Sequence, residues 1–148
     1  MRGCPNDPQV RQRRTAWMIV DPSAILAIAQ GERRAEYLLR CLEESERSSM
    51  SAASWVELMI VADARGPRLA GMIERLLQEL GVRIEPVTEE HAAAARAAYR
   101  DFGRGRHPAG LNFGDCFAYA LAKSWNEPLL FVGDDFGQTD VRPSLNRS

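Results

Sequence analysis

The chain has 148 residues, 45% hydrophobic and 26% charged, and its 19 Lys plus Arg against 20 Asp plus Glu give a formal net charge of −1. That length supports one core and not two, and the near-neutral balance excludes binding nucleic acid through a global basic field. No apolar run approaches the roughly 18 to 20 residues that span a bilayer, and the N-terminus has no apolar signal core. Cys4, Cys41 and Cys116 show no C-x-x-C spacing. A membrane span, secretion, a disulfide framework and a thiolate zinc site are therefore unexpected, and a cytoplasmic location is expected.

Residues 1–17 carry Arg2, Arg11, Arg13 and Arg14 against Asp7, with Gly3, Pro5 and Pro8 and no apolar periodicity. They are expected to be a disordered or appended extension to a domain over 18–148, with Met18 an alternative initiator. Met18 to Val20 reads as a short buried strand. Asp21-Pro22-Ser23 turns it into a helix running through Ile28, with Pro22 suited to the first helical position, and Gly31 breaks that helix. Ala35, Leu38, Leu39 and Leu42 then recur at the three-four spacing of a core-facing helix. Ser48 to Ser51 reads as a second short strand, followed by a helix that carries Glu57 and ends at Gly66-Pro67.

Leu69, Ile73, Leu76, Leu77 and Leu80 mark the next helix, closed by Gly81. Val82 to Val87 alternates like a strand. Thr88 caps a helix with Glu89 and Glu90 in its first turn, and Gly103 ends it. After a Gly- and Arg-rich loop from Arg104 to Gly110, Asn112 caps a helix expected to bury Phe113, Cys116, Phe117, Ala120 and Leu121, with Asp115 off that stripe. Leu129 to Val132 is a continuous apolar strand of the kind found inside a parallel sheet. Alternating strands and helices with short connections predict a single-domain α/β three-layer sandwich around a mostly parallel sheet.

Four acids stand out against these elements. Asp21 follows the apolar run Trp17-Met18-Ile19-Val20, Asp135 follows the run beginning at Leu129, and Glu57 is the only charge between Trp55 and Ala62. A lone buried carboxylate costs several kcal/mol unless it is protonated, ion-paired or bound to a metal, and none of these runs contains a basic residue. In open parallel sheets the functional crevice lies outside the carboxyl ends of the strands, where Asp21 and Asp135 fall. Glu57 and Asp115 would face the same crevice from helices, and such oxygen donors suit Mg²⁺ or Mn²⁺. Taken singly, Asp21 and Asp115 would also serve as helix caps, and Asp134 and Asp135 as turn residues. Arg100, Arg104, Arg106 and His107 read either as a solvated loop or as a phosphate-contacting patch. His91 reads as a surface residue.

Met18-Ile19-Val20-Asp21-Pro22-Ser23-Ala24-Ile25-Leu26, Ser51-Ala52-Ala53-Ser54-Trp55-Val56-Glu57, Leu111-Asn112-Phe113-Gly114-Asp115-Cys116-Phe117 and Gly133-Asp134-Asp135-Phe136 through Thr139-Asp140 resemble the four motifs of PIN-domain ribonucleases of the VapC toxin type. They occur in family order and the resemblance covers residues 18 to about 143. It implies a PIN-like fold, a Mg²⁺-dependent endoribonuclease that usually forms a homodimer, and inhibition by a VapB-type antitoxin whose tail enters the acidic cleft. It also implies Asp21, Glu57, Asp115 and Asp135 as catalytic metal-site residues, with Glu57 positioning or deprotonating the attacking water. Asp134 and Asp140 are neighbours of the fourth acid. Pro22 departs from the small residue common at that position, and residues 1–17 have no counterpart.

Other acid-bearing α/β classes fit less well. A phosphoacceptor receiver needs a Lys after a late strand, and Lys123 falls within a helix. A haloacid-dehalogenase-like phosphatase needs a second Asp where Ser23 stands. A non-catalytic module using the acids for partner binding is the remaining alternative.

Overall fold

The computed structural model describes residues 17–144. The extension expected over 1–17 therefore lies outside the described residues except at its last position, and so does Cys4. Four strands, β1 (Trp17–Val20), β2 (Arg47–Ser51), β3 (Val82–Glu85) and β4 (Leu129–Leu130), form one sheet in the order β3-β2-β1-β4, and every pairing is parallel. Successive side chains of a strand point to opposite faces. Ile19 and Leu129 accordingly enter one core, while Val20, Met50 and Leu130 enter the other.

Each core is closed by its own helices. α1 (Pro22–Ala29), α2 (Ala35–Glu44), α3 (Ala52–Arg65) and α4 (Pro67–Glu79) supply Ile25, Leu38, Leu42, Leu58 and Ile73 to the Val20 face. α5 (Glu89–Phe102) and α6 (Phe113–Trp125) pack against each other and supply Ala95, Ala98, Cys116, Ala120 and Leu121 to the Ile19 face. The result is the expected α/β three-layer sandwich. No helix among the described residues is long and apolar enough to cross a membrane.

The boundaries that differ from the sequence expectation have local causes. β1 begins at Trp17, one residue early, because Trp17 is in register with Arg47 and its ring lies 4.3 Å beneath that guanidinium and 6.1 Å from Trp125. β3 stops at Glu85 and not at Val87; it pairs on one side only, and Ile84 is exposed. β4 holds two residues, not four, since the Val132 N–H leaves the ladder to donate to Ser23 Oγ at 3.0 Å. Beside β4 the chain at 142–144 returns, with Leu129 N–H donating to Arg142 O at 2.9 Å and Ser144 N–H to Leu129 O at 3.0 Å. Phe113, expected inside, is 77% exposed, while Tyr119, outside the expected buried stripe of α6, is buried. α6 lies between α5 and the sheet, so its inner face is wider than a single apolar stripe.

Trp17 joins the first strand to Arg47 and to the last turn of α6. Trp17→Ala should lower stability by about 2 kcal/mol, the scale of a partly buried aromatic with a cation over its face. Urea unfolding measures it, and an unchanged midpoint would place Trp17 outside the folded unit.

Candidate active site

The carboxyl ends of the strands and the starts of two helices converge at one place. Asp21 caps α1 with extended backbone geometry, and its Oδ2 accepts the Ser23 N–H at 2.9 Å. Pro22 at the first helical position gives up an N–H that has no partner within a helix anyway, so the departure from the family pattern leaves this cap intact. Ser23 in turn holds the chain leaving β4 through its bond from Val132. Asp115 occupies the third position of α6, where a capping box forms: its N–H donates to Asn112 Oδ1 at 2.8 Å and its Oδ2 accepts the Asn112 N–H at 3.0 Å.

Glu57 reaches this place from the middle of α3. Its carboxylate lies directly against Gly114, where an added Cβ would collide with the Glu57 carboxyl group. A glycine next to Asp115 therefore admits the acid from the second turn of another helix to the same spot. Of the described residues around Glu57, Val56 and Ile60 are exposed and only Ser54, Leu58, Met59 and Ala62 are buried. α3 is thus less enclosed than its apolar composition suggests.

Electrostatics mark the cluster. Burial pushes the Asp21 carboxyl up to about 7 against the lowering effect of its Ser23 hydrogen bonds, and the charges of Asp115 and Glu57 push it further. Glu57 is raised by burial and then by Asp115. Asp115 is raised by burial and by Asp135, and lowered by its bond from Asn112 and by Arg104. Asp135 is exposed at the start of the short turn Phe136–Gln138, on the rim of the group. The structure thus gathers Asp21, Glu57 and Asp115 and sets Asp135 beside them.

Asp134 and Asp140 do not join. Asp134 is exposed on the loop, and Asp140 accepts the Tyr119 hydroxyl at 2.5 Å and pairs with Lys123 at 3.0 Å, which holds its carboxyl below the usual range. Cys116 donates to Asn112 O, and burial with the nearby Asp115 charge pushes its thiol up to about 11, which makes it an inert packing residue. His91 has a structural use that the sequence reading missed, accepting the Thr88 N–H in the α5 capping box.

Arg104 and Arg106 are exposed on a loop whose backbone is firmly tied. Arg104 N–H donates to Leu111 O and Leu111 N–H to Phe102 O, each at 2.9 Å, while His107 Nδ1 accepts the Ala109 N–H at 3.0 Å. Arg104, Tyr99, Asn112 and Phe113 line an open groove of about 330 Å³ that borders the acids at Asn112.

Among the described residues, no three His, Cys, Asp or Glu side chains are close enough together to hold a metal ion as they stand. The donor chemistry nevertheless fits a hard divalent cation: all three carboxyls are raised by burial and by neighbouring carboxylates, and among the described residues Arg104 is the cation that lowers one of them, Asp115.

An open parallel sheet with acids gathered at its carboxyl end is an α/β nuclease-like arrangement, and comparison with known proteins agrees. The PIN domain model matches residues 18–142, and the chain belongs to the PIN domain family. Ribonuclease VapC42 of Mycobacterium tuberculosis is 50% identical over 129 residues, covering 86% of this chain and 98% of that protein. The crystal structure of VapC20 of M. tuberculosis, a Sarcin-Ricin loop cleaving toxin, superposes with a TM-score of 0.66 at 20% identity, over 85% of this chain and 99% of that one. VapBC2 of Rickettsia felis, solved bound to a DNA fragment from its promoter, superposes with a TM-score of 0.66 at 12% identity, over 86% and 96%. These structural likenesses speak for the fold.

The raised Asp21 carboxyl makes stability depend on pH. Between its unfolded value near 4 and about 7, the folded protein holds a proton that the unfolded chain has released, so stability falls as pH rises through that window. The effect is on the order of 4 kcal/mol from this group. In chelator, urea unfolding should show the decline between pH 4 and pH 7, and Asp21→Asn should flatten it. A slope identical in the two proteins would remove Asp21 from the buried cluster.

Proposed function

We propose that the protein is a metal-dependent endoribonuclease, the toxin of a VapBC-type toxin–antitoxin pair, acting in the cytoplasm. The observation that carries this reading is the convergence of Asp21, Glu57 and Asp115, uncompensated except by Arg104, at the carboxyl end of a PIN-family sheet. The name and 50% identity of the VapC42 relative support the activity and its RNA substrate. A VapB-type antitoxin is the partner, presenting a basic side chain to the acids, and the active form is a homodimer.

Asp21, Glu57, Asp115 and Asp135 would hold a divalent cation, Mg²⁺ or Mn²⁺. Such a cation supplies charge neutralisation at the scissile phosphate and an activated attacking water. Asp21 and Asp115 are oriented by their helix caps, in which Oδ2 of each accepts a backbone N–H. Glu57, half-buried with a raised carboxyl, takes up the proton of the attacking water. Water's oxygen bonds to phosphorus as the P–O bond to one ribose oxygen breaks, and the departing ribose oxygen takes a proton from solvent to leave as a hydroxyl. Arg104 and Arg106 contact backbone phosphates beside the acids.

Purified protein should cut RNA with Mg²⁺ or Mn²⁺ and not with excess chelator, and Asp21→Asn or Asp115→Asn should abolish cutting while the thermal midpoint in chelator holds or rises. Undiminished cutting by either folded variant would falsify the metal assignment.

Gly114→Ala separates placement of Glu57 from folding. The α6 helix gains up to about 1 kcal/mol from the replacement, and the flexible Glu57 side chain yields to the new methyl group. Melting should stay at or above the wild-type temperature while cleavage falls by about a hundredfold, the scale of a 1 Å misplacement. Wild-type rates in this variant would release Glu57 from its assigned position.

A further inference from the structure

We propose that the groove formed by Tyr99, Arg104, Asn112 and Phe113 holds one unpaired nucleobase of the RNA, stacked on the exposed Phe113 ring beside the acidic cleft. This rests on the ribonuclease reading and adds where the substrate's base goes. Phe113 is 77% exposed and Tyr99 41%, so folding leaves two aromatic faces unused in one place. The Phe113 ring is braced edge-on against Phe117, with centroids 5.0 Å apart and planes at 71°, so its position is set before a ligand arrives.

The polar members of the groove complete the match. Asn112 Oδ1 is committed to the Asp115 N–H, which leaves the NH₂ of the same amide as a donor at the groove wall. Arg104 is exposed on its tied loop. An aromatic face, a guanidinium and an amide donor correspond to the stacked base, the phosphate and the base edge of single-stranded RNA. The groove's volume of about 330 Å³ is at the small end of ligand pockets. Asn112 and Phe113 also lead directly into Asp115, so a nucleotide seated here is continuous with the acids where its phosphodiester would react. Charge favours RNA over a segment of antitoxin: a peptide that carries a basic side chain to the acids is repelled by Arg104, whereas a phosphate is drawn to it.

Steady-state cleavage of short single-stranded RNAs of unrelated sequence, with Mg²⁺, tests the assignment. Phe113→Ala should raise KM about tenfold with kcat within about twofold, the size of one lost base stack, and Phe113→Trp should restore it. Truncating so exposed a ring should leave the melting temperature unchanged. The salt dependence of kcat/KM should be unaltered by Phe113→Ala, which removes no phosphate contact, and shallower by about 0.7 in log–log slope for Arg104→Ala. When an abasic nucleotide is moved along the substrate, one position should raise the wild-type KM about tenfold and add nothing in Phe113→Ala, because both changes delete the same stack. If the wild type cuts RNA and Phe113→Ala does so with an unchanged KM, the base site is overturned and the ribonuclease reading stands. If Phe113→Ala keeps its KM and loses binding to the cognate antitoxin, the groove is a protein-docking surface and the proposal fails. A wild type that cuts no RNA under these conditions overturns both readings together.

Discussion

Three carboxylates that burial and mutual repulsion both disfavour are held at one end of the sheet, and much of the surrounding structure is arranged to hold them. Asp21 is pushed up to about 7 chiefly because it is desolvated, and Asp115 and Glu57 add their charges to that cost. Among the described residues no salt bridge relieves them; Lys123, the chain's one lysine, is spent on Asp140. Burial of this kind is maintained only if the backbone around it is overdetermined. Parallel pairing fixes where β1 ends, the α1 cap fixes Asp21, Ser23 Oγ ties in the chain from β4, and the α6 capping box fixes Asp115.

Capping and chemistry do not compete for these residues. The backbone cap bond falls on Oδ2 in both Asp21 and Asp115, and a carboxylate offers about four lone-pair sites over its two oxygens. A helix N-terminus also favours negative charge, so the positive ends of α1 and α6 offset part of what desolvation costs. Two of the acids thus sit where helix physics tolerates them best. Glu57 has no such support in the middle of α3, and its accommodation depends instead on the missing Cβ of Gly114. That makes Gly114 as much a part of the site as the acid it admits.

The layered fold was legible because it follows from periodicity: strand and helix order, the caps at Thr88 and Asn112, and the glycine stops all lie where short-range patterns put them. The candidate acids were legible for a related reason, since a charge that interrupts an apolar run has few inexpensive places to go. What escaped the sequence depends on neighbours distant along the chain. Phe113 follows the α6 stripe yet faces solvent, Tyr119 lies off it yet is buried against Asp140, and both outcomes depend on how α5 covers α6. The early truncation of β4 depends on Ser23, 109 residues away. Gly114 carries no signal of its own; only the approach of another helix gives its bare Cα a purpose. Asp134, Asp135 and Asp140 are equivalent in composition, and only the Tyr119 and Lys123 contacts separate Asp140 from the rim.

The basic loop was readable as solvated or as phosphate-contacting, and its structure is compatible with either. Its arginine side chains are in solvent while its backbone is pinned by the Gly103–Leu111 bridge, by turns ending on Gly103 O and by His107 packed edge-on against Phe102 at 5.0 Å. Mobile arginines would lose entropy on every phosphate they met, but a rigid base limits that loss to the side chains. A chain of net charge −1 has no long-range field with which to collect a polyanion, so attraction has to be local. Placing Arg104 near enough to lower Asp115 serves both needs: it tempers the repulsion within the acids and puts positive charge at the edge a phosphate backbone would cross. The acids and Arg104 are then parts of one electrostatic arrangement, in which positive charge at the rim offsets part of the repulsion at the negative centre.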